Sequence, residues 1–417
     1  MISYKNSIKI LKNAKIIIKN ELINSSDCIN RVAAENIFSK INNPEGDNAA
    51  FDGYAINSKD TKKLDKKKGK FFKIIGTIAA GDKPLKTRKQ KFHTIEIMTG
   101  GLIPKGFDTI IPIEQIIFHP NKKNPKFIFL NKEIKKHQHV RFQGSDFKKN
   151  DLIIKKATIL NSNHILALKS LGIKKIKVKK RPNILFFSTG NELSNQVKIP
   201  KWKVRNSNSH YIESLSNNYS FNFKNGGILR DKDELTLKKN IKKMLNSKID
   251  IIITSGAVSA GKFDYIPSVV KKLNLSDYFK GVAIRPGKPI LFAKIKGKQK
   301  VIFGLPGNPI SSAACFRFFV YPYLLNLFGI KDEKPIKAIL KNTFSKKKNF
   351  TRFVKSKINT TQNGKIEVEI LKGQESFRIQ SFVKSNIWSL LPSGKSKFKK
   401  GEIIDCFNRN YYNQNLI

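Results

Sequence analysis

The chain has 417 residues, 40% of them hydrophobic, with 81 Lys and Arg against 30 Asp and Glu and a formal net charge of +51. That length exceeds what one ordinary core holds, so several domains are expected. The longest apolar runs, "IDIIIT" and "RFFVYPYLLNLF", fall short of the roughly 20 residues of a membrane-spanning helix, which argues against a bilayer-spanning protein.

The charge first suggests a non-specific nucleic-acid binder. Only 11 of the basic residues are Arg, however, and the lysines are scattered, as in "KKLDKKKGK" and "KSKFKK", among many Ile, Asn and Phe with A+T-rich codons. Drift of genome composition explains such an excess without a nucleic-acid groove, so sequence-specific nucleic-acid binding is not expected. The resulting field would still attract anionic small molecules. The three cysteines, Cys28, Cys315 and Cys406, are far apart and include no CxxC pair. Neither a disulfide framework nor a structural zinc site is expected, and a reducing cytoplasm is.

In chain order, "MISYKNSIKILKNAKIIIKNEL" breaks its apolar positions with lysines at helical spacing and has no small-residue cleavage site. It predicts an amphipathic helix and no signal peptide. A second helix is predicted within "CINRVAAENIFSKIN", followed by the polar loop "NPEGDNAAFDGYAIN". From about 70 to 155 come short strand-like runs, "FFKIIGTIAAG", "HTIEIMTGG", "DTIIPIEQIIF" and "KFIFL", separated by Gly, Pro and Asn. "HQHV" places His137 and His139 on one face of a strand, but without further ligands nearby in sequence a zinc site is not expected there. "TILNSNHILALKSLGIKKIKV" predicts a helix ended by Gly172, then a strand.

From 181 the texture changes. "NILFFST", "IDIIIT", "PILFAKI" and "KVIFGLPG" read as strands, and "SNSHYIESLSNNY", "ELTLKKNIKKML", "DYIPSVVKKL" and "SSAACFRFFVYPYLLNLFG" as helices. Strands apolar on both faces and spaced by helices predict a doubly wound, mostly parallel α/β/α domain. The last segment, 331–417, returns to alternating strands such as "FTRFVKSKI" and "KIEVEIL", which predict a small β-barrel or sandwich.

In a doubly wound sheet, ligands sit where strand ends turn into helices. "TSGAVSAGKFDY" (254–265) is such a turn, with Gly256 and Gly261 allowing close backbone approach and Ser255 and Ser259 adding hydroxyls for an anion such as phosphate. Asp264 would repel that anion unless a divalent cation, Mg²⁺ or another, lay between them. "GAVSAGK" also lies one residue from a P-loop, because Phe263 stands where the metal-coordinating Ser or Thr belongs. A P-loop-like nucleotidase is therefore an alternative. Other strand ends carry Thr189, Gly190 and Glu192, then Asp231 and Asp233, and "RNSNSHY", whose Asn206 to Ser209 can serve as a helix N-cap. "AIRPGKPILF" holds Arg285 and Lys288 on a rigid turn, and "FGLPGNP" opens the next helix.

At these residues the chain resembles the molybdopterin molybdenumtransferase family, the molybdenum insertases that include the E domain of gephyrin. The resemblance spans essentially the whole chain and rests on "FDGYA", "IMTGGLIPKGFDTIIPIE", "VRFQGSDFKKND", "STGNEL", "ILRD", "TSGAVSAGKFDY", "RPGKP" and "LPGNP" in family order. It implies a multi-domain fold of class α/β plus β. An N-terminal helix (1–24) packs on an α/β/α molybdopterin-binding domain (181–328), and a linking domain is split between 25–47 and 141–180. An elongated β-rich domain (48–140) is inserted in it, and a C-terminal β-barrel (329–417) closes the chain.

The implied reaction is insertion of molybdate into adenylylated molybdopterin, with loss of AMP and a divalent-cation requirement. The implied assembly is a homodimer with shared active sites, and the implied protein partners are a molybdopterin adenylyltransferase and molybdoenzymes. By the same resemblance Asp231 and Asp264 would hold the metal and Glu192 the pterin side. Thr189, Gly190, Ser255, Gly256, Ser259 and Gly261 would line the nucleotide and phosphate path, while Arg285, Lys288, Pro306, Pro309 and Ser376 would surround molybdate. Asp52, Asp146 and Thr99 would reach the cleft from the β-rich side, across the dimer. The chain departs from the family at Asn191, where Asp is common, at Glu375, which replaces a glycine, and at Arg352, which lies two positions beyond the family's arginine.

Overall fold

The computed structural model describes residues 1–86, 90–230, 234–258 and 265–408. It divides into two compact units, Met1–Glu35 with Lys156–Ser162 and Lys175–Ile417, and Asn36–Lys155 with Asn163–Lys174.

The first unit is built on a six-stranded sheet whose strands we number in chain order: β1 (Asn183–Thr189), β2 (Asn222–Leu229), β3 (Ile251–Ser255), β4 (Leu275–Lys280), β5 (Leu291–Ile295) and β6 (Val301–Leu305). Their spatial order is β2-β1-β3-β6-β5-β4. The first four run parallel, and β5 and β4 add antiparallel pairings at one side. Alternate residues feed two cores, as a strand's period of two requires. Ile251, Ile253 and Phe303 pack on one face with Ile212 and the helix from 309, while Ile252 and Ile302 pack on the other with Leu237, Ile241 and Val270. β2 and β4 were not among the predicted strands. β2 reads "NFKNGGIL" with most of its residues partly or fully exposed, so it lacks the apolar run that marked β3 and β6.

The predicted long buried helix is present as Pro309–Cys315, a π-turn over Phe316–Val320 and Tyr321–Phe328, ended by Gly329 at φ 76°. Pro322 has no N–H to give to the carbonyl of Phe318, four residues back, and that carbonyl receives the Tyr4 hydroxyl at 3.4 Å instead. The buried Arg317 guanidinium on the π-turn forks onto both carboxylate oxygens of Glu333 at 2.7 Å and donates to Asn408 O at 2.6 Å.

Two helix expectations need correction. The N-terminal helix covers only Tyr4–Asn13. Beyond it Ala14, Ile16 and Ile18 are buried while Lys15, Ile17 and Lys19 are exposed. This period of two suits the β-branched isoleucines better than a helix does, and the chain enters a strand, Asn20–Asn24, paired with Lys175–Lys179. No helix forms within "CINRVAAENIF". Val32 bridges Ile159 and Ala33 bridges Val178 in extended conformation. The helix predicted before Gly172 is Ser162–Ser170, and Gly172 has φ 68°.

The C-terminal strands form a closed barrel. Thr351–Thr360 pairs with Ile366–Ile370 and Ile387–Leu391, and Ile336–Leu340 and Ile403–Asn408 complete the five-stranded ring. Closure leaves no open sheet edge around its core of Leu340, Val354, Val368 and Ile404. Ile284–Arg285, from the "RPGKP" turn, adds alongside Thr351–Arg352 in parallel.

The second unit carries a six-stranded sheet ordered Thr109–Pro112, Gly53–Ile56, His93–Ile97, Lys70–Ile78, Phe127–Leu130 and Ile117–His119. His137 and His139 do not share a strand face. They sit in turns at φ 66° and 57°, and their rings pack edge-on against different partners, Phe142 and Phe51.

Candidate active site

The loops after β1, β3 and β6, three parallel strands, enclose a cavity of about 550 Å³. Thr189, Gly190 and Glu192 line it from the first loop, Ser255, Gly256 and Ala257 from the second, and Pro306, Asn308 and Pro309 from the third. This is the carboxyl edge of the sheet, where successive loops diverge and leave room for a ligand. A further wall is Val204, Arg205, Asn206, Ser207 and Asn208, leading into the helix Asn208–Ser214.

The N-cap expected over Asn206 to Ser209 does not form, since Ser207 at the cap position makes no side-chain cap bond. These polar side chains tie loops together instead. Asn208 Nδ2 donates to Ser255 Oγ at 2.7 Å and to Gly307 O at 2.8 Å, bridging the β3 and β6 loops. Ser255 Oγ in turn donates to Pro306 O at 3.2 Å. Asn206 Oδ1 accepts from Ser188 Oγ at 2.7 Å, and its Nδ2 donates to Asn195 Oδ1 at 3.1 Å. Of the two roles open to "RNSNSHY", a helix cap or part of a strand-end site, its short amide and hydroxyl side chains take the second.

The glycines serve steric needs. Gly190 has φ 140°, and a Cβ there would stand 2.4 Å from the Glu192 carboxylate, which lies over the bare α-carbon. Gly256 has φ 106°, and a Cβ there would stand 2.4 Å from Thr189 O. The N–H groups of both are taken by the sheet: Gly190 N donates to Leu229 O at 3.0 Å and Gly256 N to Leu305 O at 2.9 Å. The Gly256 N–H is therefore not available to the anion expected near that glycine, and the Thr189 hydroxyl is engaged as well, donating to Ser255 O at 3.0 Å. Arg230, the third residue of the "ILRD" motif, was not among the expected site residues. Its Nη1 donates to the carbonyls of Gly190, Asn191 and Leu193 at 3.2, 3.1 and 2.9 Å and so fixes the loop that carries Glu192.

Asn308 also leaves its cap role unused, and its Nδ2 donates to Ser376 Oγ at 3.1 Å while Ile310 N donates to Ser376 O at 3.3 Å. Ser376 is thus brought beside the Pro306–Pro309 loop. Pro289 lines the cavity, whereas Arg285 and Lys288 are exposed and not in its wall. The Arg285 guanidinium sits 5.0 Å from the Phe350 ring centre, a cation–π contact onto the barrel.

Asp231, Ser259, Gly261 and Asp264 lie outside the described residues, as does the second half of "GAVSAGK". In the second unit Asp52 and Thr99 are joined, with Thr99 N at 2.6 Å and Thr99 Oγ1 at 2.7 Å from Asp52 Oδ1. The Thr99 N–H first, and then its hydroxyl, hold the Asp52 carboxyl below the ordinary carboxylate range. Asp146 is held elsewhere, accepting from Asn43 Nδ2 at 2.9 Å.

Among the described residues no group of three or more His, Cys, Asp or Glu is arranged to hold a metal ion. The described cavity wall offers the Glu192 carboxylate with Thr, Ser and Asn oxygens and neither His nor Cys. That donor chemistry suits a hard cation such as Mg²⁺ and not zinc or copper. Cys28, Cys315 and Cys406 are all buried and none forms a disulfide. Among the described residues no helix is long and apolar enough to cross a membrane.

The chain matches the MoeA N-terminal region (domain I and II) over residues 2–172, the "Probable molybdopterin binding domain" over 186–326 and the MoeA C-terminal region (domain IV) over 337–407. A molybdopterin molybdenumtransferase of Staphylococcus epidermidis is 31% identical over 421 residues, covering 100% of this chain and 98% of the relative. One of Staphylococcus aureus is 32% identical over 383 residues, 90% of this chain and 88% of the relative. The crystal structure of a molybdopterin biosynthesis moeA protein from Pyrococcus horikoshii superposes with a TM-score of 0.82 at 26% identity, over 97% of this chain and 99% of that one. In its sequence over the full length and in its fold, the chain belongs to the molybdopterin molybdenumtransferase family.

Proposed function

We propose that this chain inserts molybdate into adenylylated molybdopterin, releasing AMP in a divalent-cation-dependent transfer that completes the molybdenum cofactor. The observation that carries the reading is the convergence of the "STGNEL", "NSN", "TSGA" and "LPGNP" loops on one cavity at the carboxyl edge of the sheet. Thr189, Gly190, Ser255 and Gly256, with Ser259 and Gly261, form the path for the pyrophosphate and nucleotide, and Glu192 stands on the pterin side. Arg285, Lys288, Pro306, Pro309 and Ser376 receive molybdate, a dianion that needs fixed cations and hydroxyls. Asp231 and Asp264 would hold the cation, whose charge offsets that building on the departing AMP.

In this reading the chain works as a homodimer, with Asp52, Thr99 and Asp146 completing a shared site. A molybdopterin adenylyltransferase supplies the substrate, and molybdoenzymes receive the product. The test is incubation of the purified chain with adenylylated molybdopterin and Mg²⁺, with and without molybdate. AMP release that requires molybdate is expected, and its absence contradicts the proposal. Mixing Asp52→Asn with Asp264→Asn chains tests the shared site, since activity of the mixture above either alone requires residues from two copies.

A further inference from the structure

Lys355 lies on the barrel strand Thr351–Thr360 with 1% of its surface exposed. A buried ammonium is tolerated only where its protons find acceptors. Here all three do, and all on one loop: Gly373 O at 2.7 Å, Arg378 O at 3.0 Å and Glu375 O at 3.1 Å. Gln374 from the same loop exchanges hydrogen bonds with the Lys355 peptide, Lys355 N donating to Gln374 Oε1 at 3.0 Å and Gln374 Nε2 donating to Lys355 O at 2.8 Å. The loop so gathered carries Ser376, whose hydroxyl and carbonyl meet Asn308 Nδ2 and Ile310 N at the cavity rim.

We propose that Lys355 is a positioning residue for the oxyanion end of the site: its ammonium fixes the Gly373–Arg378 loop so that Ser376 is held at Asn308. The loop has no regular secondary structure to hold it, and its exposed members Glu375, Phe377 and Arg378 contribute no core. The Ser381 hydroxyl also meets Gly373 O at 2.6 Å and Arg378 O at 3.2 Å, and the three charge-assisted bonds of the ammonium add the strongest tie between the loop and the strand. The proposal rests on the reading that Ser376 faces molybdate.

Burial lowers the Lys355 pKa to about 8, with Glu375 raising it and Arg352 and Arg378 lowering it. Glu375 and Arg378 belong to the loop and Arg352 to the same strand; the paired strand Ile387–Leu391 brings no charge, Ile366–Ile370 carries Glu367 and Glu369 alongside Ser356–Thr360, and the packed helix Ile379–Lys384 carries Lys384. Three N–H donors are present below that pKa and two above it, so the clamp loosens as pH rises through it. Arginine, which stays protonated, would not share this dependence.

The experiment compares wild type, Lys355→Met and Lys355→Arg by hydrogen exchange and steady-state kinetics. In Lys355→Met, exchange of the 371–378 amides should rise by at least about tenfold, as should the KM for molybdate, with the KM for the adenylylated pterin unchanged. Lys355→Arg should restore both and remove the rise in molybdate KM between about pH 7 and about pH 9.5. Should Lys355→Met fail to fold, wild-type exchange at those two pH values, corrected for intrinsic rates, reads the same clamp. Exchange that is unchanged by substitution and by pH overturns the clamp itself, whatever the reaction. Faster exchange with an unaltered molybdate KM overturns the positioning role. A wild-type chain without molybdate-dependent turnover fails the functional reading on separate grounds.

Discussion

Asn208 Nδ2 lies 2.7 Å from Ser255 Oγ, and the same amide nitrogen reaches Gly307 O at 2.8 Å, so that one side chain at a helix start fixes the relative course of two strand-end loops. Replacing Asn208 by Ala removes both bonds and leaves Gly307 O without this donor, at a cost of about 1–3 kcal/mol. Because the loops line the cavity, the larger effect should be on turnover. A displacement of the order of 1 Å at a reacting centre lowers rate by roughly a hundredfold. Urea unfolding together with AMP-release kinetics checks both, and a variant as active as wild type would show that the bridge does not position substrate.

Gly256→Ala should destabilise the first unit by more than about 1 kcal/mol, since alanine pays for a left-handed backbone. Its Cβ would also press on Thr189 O, 2.4 Å away. The effect should be read in the urea midpoint. Gly297→Ala is the control, because Gly297 has φ 69° but open space around it. It should show the backbone part of the penalty without the clash.

The Arg317–Glu333 pair is buried, with side-chain exposures of 2% and 7%. Removing one partner of such a pair strands the other charge and costs about 3–5 kcal/mol. Glu333→Ala should therefore lower the midpoint far more than Glu367→Ala, whose ion pair with Lys341 spans 3.5 Å at a largely wet site. Equal losses would show that Arg317 finds a substitute acceptor.

Asp52 is predicted to titrate below the ordinary carboxylate range because Thr99 donates to it twice. A depressed folded pKa contributes stability that is present above the unfolded value and lost as pH falls through the folded one. Thr99→Val removes the hydroxyl and keeps the N–H, so the Asp52 carboxyl should move part of the way back up. Carbon-detected NMR of the carboxyl through the acid range measures this. No movement would mean that the backbone donor alone sets the shift.

Much of the fold was legible because central strands of a covered sheet are apolar on both faces, as "IIITS" and "VIFGL" are. The edge strand "NFKNGGIL" was not, since a strand at a sheet's rim needs polar and glycine residues to discourage further pairing. The isoleucine run after Asn13 misled in the opposite direction, because lysines at mixed spacing fit a helix until the buried set Ala14, Ile16 and Ile18 reveals a period of two. At the site, glycines and hydroxyls at strand ends could be read directly. Asn208 and Arg230 could not, because their roles come from bonds to carbonyls distant in sequence. The two histidines failed as a face because left-handed turns separate them.

A crystal structure of the chain with adenylylated molybdopterin and Mg²⁺ tests the central claim most directly. The account predicts the pyrophosphate in the cavity between Thr189, Ser255 and the Pro306–Pro309 loop, within hydrogen-bond reach of the wall hydroxyls. Ligand bound on another surface, with this cavity left to solvent, would contradict it.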